Sequence, residues 1–260
     1  MSLTDKFGRP ITDLRISVTD RCNYKCVYCR TGNDGALYSD LPFSEYLRMC
    51  RVLVSLDRER FARITRVPDG FDNVLSGIRA AREAGLWPVK VNCVLMRGFN
   101  EDQIAAFGKF AREEGVVVRF IEFMPLEEDR VWSPQVVVRL DEILQRMAEY
   151  MPLVEIPHAL SETARRYRFE DGVGEIGIIA PVSHPFCGHC SRIRITSDGK
   201  IRTCLFSVWD HDLYGLMRRG ASDEQLEQFI RDVVQRKEER HHIGEADFVP
   251  ASRTMVHIGG

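Results

Sequence analysis

Three cysteines fall within eight positions of the segment DRCNYKCVYCR: Cys22, Cys26 and Cys29, spaced C-x3-C-x2-C. Nothing else in the chain constrains its fold as tightly, because a metal held by clustered thiolates couples its binding energy directly to folding. A second group, Cys187, Cys190 and Cys204, is spaced C-x2-C-x13-C. Each group offers three thiolates where a structural zinc site or an ordinary iron–sulfur cluster takes four protein ligands. A cluster held by three thiolates leaves one iron open to a substrate or cofactor. A zinc site completed by His184 or His189 is the competing reading of the second group.

The eight cysteines sit in a chain whose N-terminal stretch has no apolar core of signal-peptide length. No apolar run approaches the roughly 20 residues of a membrane span. A reduced, cytoplasmic protein is therefore expected, in which clustered cysteines serve metal binding or catalysis and not disulfides. Cys50 and Cys93 belong to neither group and read as buried structural thiols. The net charge of −2 supplies no global field toward nucleic acid or an anionic membrane, so neither is expected as a partner. Any anionic ligand must be held by a local cluster of arginine and lysine.

Hydrophobic patterning places the cysteine groups. LRISV (14–18) reads as a buried strand running into the first group, and SEYLRMCRVLV, with Ser44 as N-cap, as the helix after it. FDNVLSGIRAAREAG (71–85) carries Val74, Leu75, Ile78 and Ala81 at helical spacing, closed by Gly85. VKVNCVLM (89–96) and VVVRFIEFM (116–124) read as strands. Between them NEDQIAAFGKFAREEG (100–115) reads as a helix capped by Asn100 and Gln103. Alternating strands and helices with short connections indicate an α/β fold around a parallel sheet. Beyond residue 150 the pattern turns to short strands. One helix then follows, with Ser222 and Gln225 as a capping box and an apolar stripe of Leu226, Phe229, Ile230, Val233 and Val234. Two domains, 1–150 and 151–260, are expected.

The C-x3-C-x2-C motif with Tyr28 just before its last cysteine resembles that of radical S-adenosylmethionine (SAM) enzymes. DKFGRPITDLRISVTDRCNYKCVYC, VKVNCVLMRGFNEDQI, VRFIEFMP, FCGHCSRIRITSDGKIRTCLF and the terminal IGG together resemble the GTP 3′,8-cyclase (MoaA) family of molybdenum cofactor biosynthesis. The resemblance implies an incomplete (β/α) barrel of the radical SAM type, followed by a C-terminal α+β domain. It implies two [4Fe-4S] clusters. Cys22, Cys26 and Cys29 would hold the one on which SAM takes the fourth place and is cleaved to a 5′-deoxyadenosyl radical. Cys187, Cys190 and Cys204 would hold the other, whose open iron binds the purine of GTP. The product would be (8S)-3′,8-cyclo-7,8-dihydroguanosine 5′-triphosphate. Carried over by motif, Tyr28, Met124 and Ser55 contact SAM. Arg15, Lys90, Arg119, Arg192, Ile193 and Arg194 contact GTP, and Gly259 and Gly260 thread toward the active site. An electron donor, a cyclic pyranopterin synthase acting on the product, and a homodimer are implied as partners.

The chain departs from that family between residues 54 and 55. The family's GGEP strand end, which holds the amino group of SAM, and its TTNG strand end have no counterpart here. Two strands and most of a third are missing by that pattern. LRISV is then expected to pair with a later strand or to leave two sheet edges. A shortened relative that binds clusters and GTP without turnover, and a zinc-stabilised protein with no enzymatic role, are the alternative functional readings.

Overall fold

The computed structural model describes residues 3–17, 55–67, 70–127 and 131–258. Nine strands and six α-helices lie within them: β1 (Asp13–Ile16), α1 (Arg58–Thr65), α2 (Gly70–Glu83), β2 (Lys90–Leu95), α3 (Ile104–Glu113), β3 (Val117–Glu122), α4 (Leu140–Tyr150), β4 (Leu153–Ile156), β5 (Arg165–Phe169), β6 (Glu175–Ile179), β7 (Arg192–Ile195), β8 (Lys200–Arg202), β9 (His211–Asp212), α5 (Leu213–Arg218) and α6 (Asp223–Val234). They form a mixed α/β fold with two sheets, ordered β2-β3-β6-β5-β4 and β1-β7-β8-β9.

The five-stranded sheet is parallel through β2, β3 and β6 and antiparallel through β5 and β4. Its strands alternate as the period of two requires. Val91, Cys93 and Leu95, Val118 and Phe120, Ile176 and Ile178, and Tyr167 and Phe169 face the main core. Helices α1 to α4 cover that face, contributing Phe61, Ile78, Phe107 and Ile143, all fully buried. Cys93 is a structural thiol in this core, and desolvation pushes its pKa up. The sheet crosses residue 150 without interruption: β2 and β3 precede that position and β4, β5 and β6 follow it.

Local chemistry explains most helix ends. Asp57 caps α1 by accepting from the Arg60 amide at 2.7 Å, and Ser222 with Gln225 forms the expected capping box on α6. The expected box at Asn100 and Gln103 does not form. Both side chains are engaged elsewhere. Asn100 accepts from the Met96 amide and donates to the Val94 carbonyl. The Gln103 carbonyl oxygen accepts from the Ser55 hydroxyl at 2.8 Å and the Leu56 amide at 3.1 Å. Gln103 therefore closes the chain around residue 55 against the start of α3, and a 3-10 turn precedes the helix.

β1 pairs in parallel with β7, in the register Asp13 with Arg192 and Arg15 with Arg194. LRISV has thus found a later strand, one of the two outcomes expected for a chain lacking the central strands. The five-stranded sheet, among the described residues, ends on β2. Leu14 and Ile16 remain about half exposed, so β1 is a strand with one apolar face uncovered. The expected helix at 44–54 and Cys50 lie outside the described residues.

Candidate functional site

Cys187 and Cys190 flank a one-turn 3-10 helix that leads directly into β7, and Cys204 follows β8. The antiparallel pairing of β7 with β8 therefore brings Cys190 and Cys204 to the same end of one hairpin. Buried cations hold this hairpin. The Lys237 ammonium is 2% exposed and donates to the Arg192 carbonyl at 2.9 Å and to the Thr203 carbonyl, tying the two strands beside their cysteines. Arg9, paired with Asp5, donates to the Cys187 carbonyl at 2.8 Å. The Arg192 guanidinium donates to the Cys190 sulfur at 3.3 Å.

These charges act on the thiols. Burial is the largest single influence on Cys190 and raises its pKa, yet Lys237 and Arg192 together bring it below its ordinary value. Burial dominates at Cys187 and Cys204, raising the first and pushing the second up to about 11. A cluster or metal binds thiolates, so the cations beside Cys190 favour the ligating form.

Three thiols gathered at one end of the hairpin, with cations beside Cys190 that favour its thiolate, are a donor set that fits an iron–sulfur cluster with one open iron. The His184 Nδ1 lies 3.0 Å from the Ser183 hydroxyl, which leaves its Nε2 as the ring nitrogen open to a ligand.

Basic residues converge beside this group from both sheets. Across the four-stranded sheet Arg15, Arg194 and Arg202 stand in register on adjacent strands. Arg192 and Arg194 are each 7% exposed, and Arg202 is fully buried. Burial pushes the Arg194 guanidinium down to about 10, and Arg15 adds to the effect. Ile193, between the two arginines, is buried on the opposite face of β7.

Lys90 and Arg119 occupy the face of the five-stranded sheet away from the helices, where they line a cavity of about 540 Å³ with Arg166, Arg168 and Glu175. Arg119 donates to the Asn92 side chain at 2.7 Å. Its aliphatic stem runs beside Gly177, where a Cβ would meet the Arg119 Cγ at 3.0 Å, so glycine leaves room for that side chain. The segment 161–164 joins the two regions. The Ser161 carbonyl accepts from Arg192 at 2.8 Å, and the next three residues, Glu162, Thr163 and Ala164, line the cavity.

Met124, just past β3, packs against a small apolar cluster of Leu126, Phe206, Ile243 and Ile258, as does Cys204. Arg194 donates to the Ile258 carbonyl at 3.4 Å, which brings the C-terminal segment to the arginine row. Gly259 and Gly260 lie outside the described residues, as do Cys22, Cys26, Cys29 and Tyr28. Ser55 is fully buried, and its hydroxyl donates to Gln103.

Sequence reasoning missed three buried charges that build this region. Glu122, fully buried at the end of β3, accepts from the amides of Leu140 (3.0 Å), Val182 (2.8 Å) and Ser183 (2.9 Å) and from the Ser183 hydroxyl. It fixes the strand end that carries Met124 to the loop that leads to Cys187. Lys237 and Arg9 do the same for the cysteine hairpin. The signal for Glu122 was its place in the alternation: it continues the inward-facing set of Val118 and Phe120, where a charge must be fully hydrogen-bonded.

Comparison with known proteins points to one family. The family model described as Molybdenum Cofactor Synthesis C matches residues 116–243, which hold the second cysteine group and Arg119, Arg166 and Arg168 of the cavity. The GTP 3′,8-cyclase of Acidothermus cellulolyticus is 32% identical over 316 positions, covering 92% of this chain and 87% of the relative. The enzyme of the same name from Rhodopirellula baltica is 33% identical over 334 positions, covering 100% and 92%. That from Paenarthrobacter nicotinovorans is 33% identical over 347 positions, covering 100% and 97%. Alignments that long on 260 residues require gaps of tens of positions in this chain, as the missing strand ends do. With identity above 30% along nearly its whole length, and with the second cysteine group intact, the chain belongs to the GTP 3′,8-cyclase family.

Proposed function

We propose that the chain acts in molybdenum cofactor biosynthesis as a radical SAM lyase that converts GTP to (8S)-3′,8-cyclo-7,8-dihydroguanosine 5′-triphosphate. The observation that carries this reading is that Arg192 bonds both the Cys190 sulfur and the carbonyl of Ser161, the residue next to the basic cavity lined by Lys90 and Arg119. Cys187, Cys190 and Cys204 would hold a [4Fe-4S] cluster there, and Cys22, Cys26 and Cys29 a second. SAM, bound at the second of these, would supply the radical that opens the chemistry on the ribose.

The chain's own residues do the positioning. Arg192 would set the electrostatics of the Cys190 sulfur while its carbonyl is pinned by Lys237. Arg15 and Arg194 present charge from adjacent strands to a purine nucleotide. Lys90 and Arg119 would hold its triphosphate, since a polyanion recovers in a basic cavity what it loses in hydration. Ile193 would pack beside the same nucleotide segment, and Gly259 with Gly260 would reach the reacting centre past Ile258. Met124, Tyr28 and Ser55 are the SAM contacts. The fold would be an incomplete (β/α) barrel over residues 1–150 with a C-terminal substrate domain over 151–260. An external electron donor, a cyclic pyranopterin synthase for the product and a homodimeric assembly complete the proposal. Among the described residues no helix is long and apolar enough to cross a membrane.

The loss of the GGEP and TTNG strand ends favours a second reading, a relative that binds clusters and GTP without turnover. One experiment separates the two. The chain is reconstituted anaerobically with iron and sulfide, supplied with reductant, SAM and GTP, and assayed for 5′-deoxyadenosine and cyclised GTP. Both products together support the cyclase. Iron for two clusters with neither product supports the silent relative.

A further inference from the structure

The C-terminal segment is held by an ion-pair arrangement that the cyclase reading does not require. Arg253 reaches two carboxylates at once. Its Nη1 and Nη2 bind both oxygens of Asp198, at 2.9 and 2.8 Å, and its Nε binds Asp210 at 2.6 Å. Asp198 lies in the β7–β8 turn, where the Thr196 hydroxyl also donates to it. Asp210 lies just before β9 and is shared with Arg202, the buried arginine in register with Arg194. Arg202 also donates to the Ser252 hydroxyl at 3.4 Å, next to Arg253 in sequence. The side chains of Arg253, Asp198 and Asp210 are 20%, 16% and 24% exposed, so these pairs are better shielded from water than ordinary surface bridges.

Beyond the clasp the segment is short and directed. The Met255 amide donates to the Leu126 carbonyl at 3.3 Å. Ile258, fully buried, joins the cluster against which Met124 and Cys204 pack, and its carbonyl meets Arg194. Four residues separate Arg253 from Ile258, so fixing the first constrains the second.

We infer that Arg253 is a positioning residue: its bidentate grip on Asp198, completed by Asp210, docks the C-terminal segment against the arginine row before any nucleotide binds. The inference rests on the proposed function only for the use made of the final two glycines.

Hydrogen exchange of the full, nucleotide-free chain tests it. Peptides covering 254–258 should be protected in the parent. They should exchange about tenfold faster in Arg253→Ala and in the isosteric Asp198→Asn, while β3 peptides are unchanged. Arg253→Lys, which keeps the charge and loses the fork, should fall between. Equal exchange at 254–258 in the parent and both variants overturns the inference. So does acceleration spread equally over β3, because the pairs would then hold the fold and not the tail. In the reconstituted variants a loosened tail should raise 5′-deoxyadenosine relative to cyclised GTP. An unchanged ratio beside a loosened tail leaves the clasp standing and removes the glycines from the proposed function.

Discussion

Arg166 on the five-stranded sheet and Arg192 on the four-stranded sheet meet opposite kinds of partner. On the open face of the five-stranded sheet Arg166 grips Glu175 with two bonds of 2.8 and 2.9 Å, and at the cavity's edge Arg112 of α3 grips Asp171 at 2.8 and 2.6 Å. These pairs are partly exposed and shape the cavity's rim. In the four-stranded sheet Arg192 is nearly buried, and its partners are a main-chain carbonyl and a cysteine sulfur. Neutralised cations on a wet rim contribute little to stability or to ligand affinity. Buried cations with neutral partners carry a desolvation cost that a bound anion or a negatively charged cluster offsets. Arg192 therefore differs from Arg166, and also from Arg202 of its own sheet, which keeps the Asp210 carboxylate as partner.

The largest break in that comparison comes from the cysteines. Replacing Cys190 with Ser, or Cys187 or Cys204, should remove the second cluster and about half of the iron bound after reconstitution. Replacing Cys22, Cys26 or Cys29 should remove the other half and abolish SAM cleavage. Iron analysis and visible absorption read both. Zinc at unit stoichiometry in the purified chain, with no iron uptake, would overturn the cluster assignment.

Glu122 sharpens the comparison from the side of stability. Glu122→Ala removes the carboxylate that accepts from the Leu140, Val182 and Ser183 amides and should cost about 3 kcal/mol, seen as a lowered denaturation midpoint. A change below about 1 kcal/mol would show that the loops find other partners.

The two arginine environments can be set against each other directly. Arg194→Ala should weaken GTP binding by about 10- to 100-fold, the scale of a lost charge-assisted hydrogen bond. Arg166→Ala removes a cation already matched by Glu175 and should change affinity about threefold or less. Equal losses by calorimetry would erase the distinction between the two environments.

The clasp makes a prediction about pH. Burial raises the Asp198 carboxyl, but the hydrogen bonds from Arg253 and Thr196 overcome it and hold the group below its ordinary value. A folded-state pKa depressed in this way contributes stability above the ordinary value near 4, and that contribution is lost as pH falls through the lower folded value. Tail protection in hydrogen exchange should therefore persist from neutral pH to about 4 and fall away below it. Loss between pH 5 and 7 would point to a different group. The smallest effect is expected at Arg231, whose bridge to Glu227 sits exposed one helical turn away on α6. Arg231→Ala should shift stability by about 0.5 kcal/mol or less.

How much of this was legible in the sequence differs by scale. Elements with strong periodicity were readable: α2 runs over 70–83 where 71–85 was expected, and α6 keeps its capping box. The box at Asn100 failed because Gln103 serves a segment 48 residues away, a competition invisible in a local window. α1 and α4 went unread. The apolar positions of α1 lie among three arginines and a glutamate, and α4 follows a loop with no capping side chain. The buried ion network also went unread, since Arg253, Asp198 and Asp210 are ordinary surface residue types until the chain brings them together.

The sequence by itself determined the chemistry available. Cysteine spacing set the ligand groups, alternation set which strand faces are apolar, and the missing strand ends set what the sheets must do without. These are local properties, fixed by covalent spacing and by the periods of two and 3.6 residues. Only the tertiary structure decided which cations became buried and which stayed on a rim. It also decided that β1 would pair with β7, and that the last residues would dock beside Arg194. Those outcomes depend on contacts between residues tens to hundreds of positions apart. Desolvation and ion pairing act there through distance in space, which sequence separation does not encode.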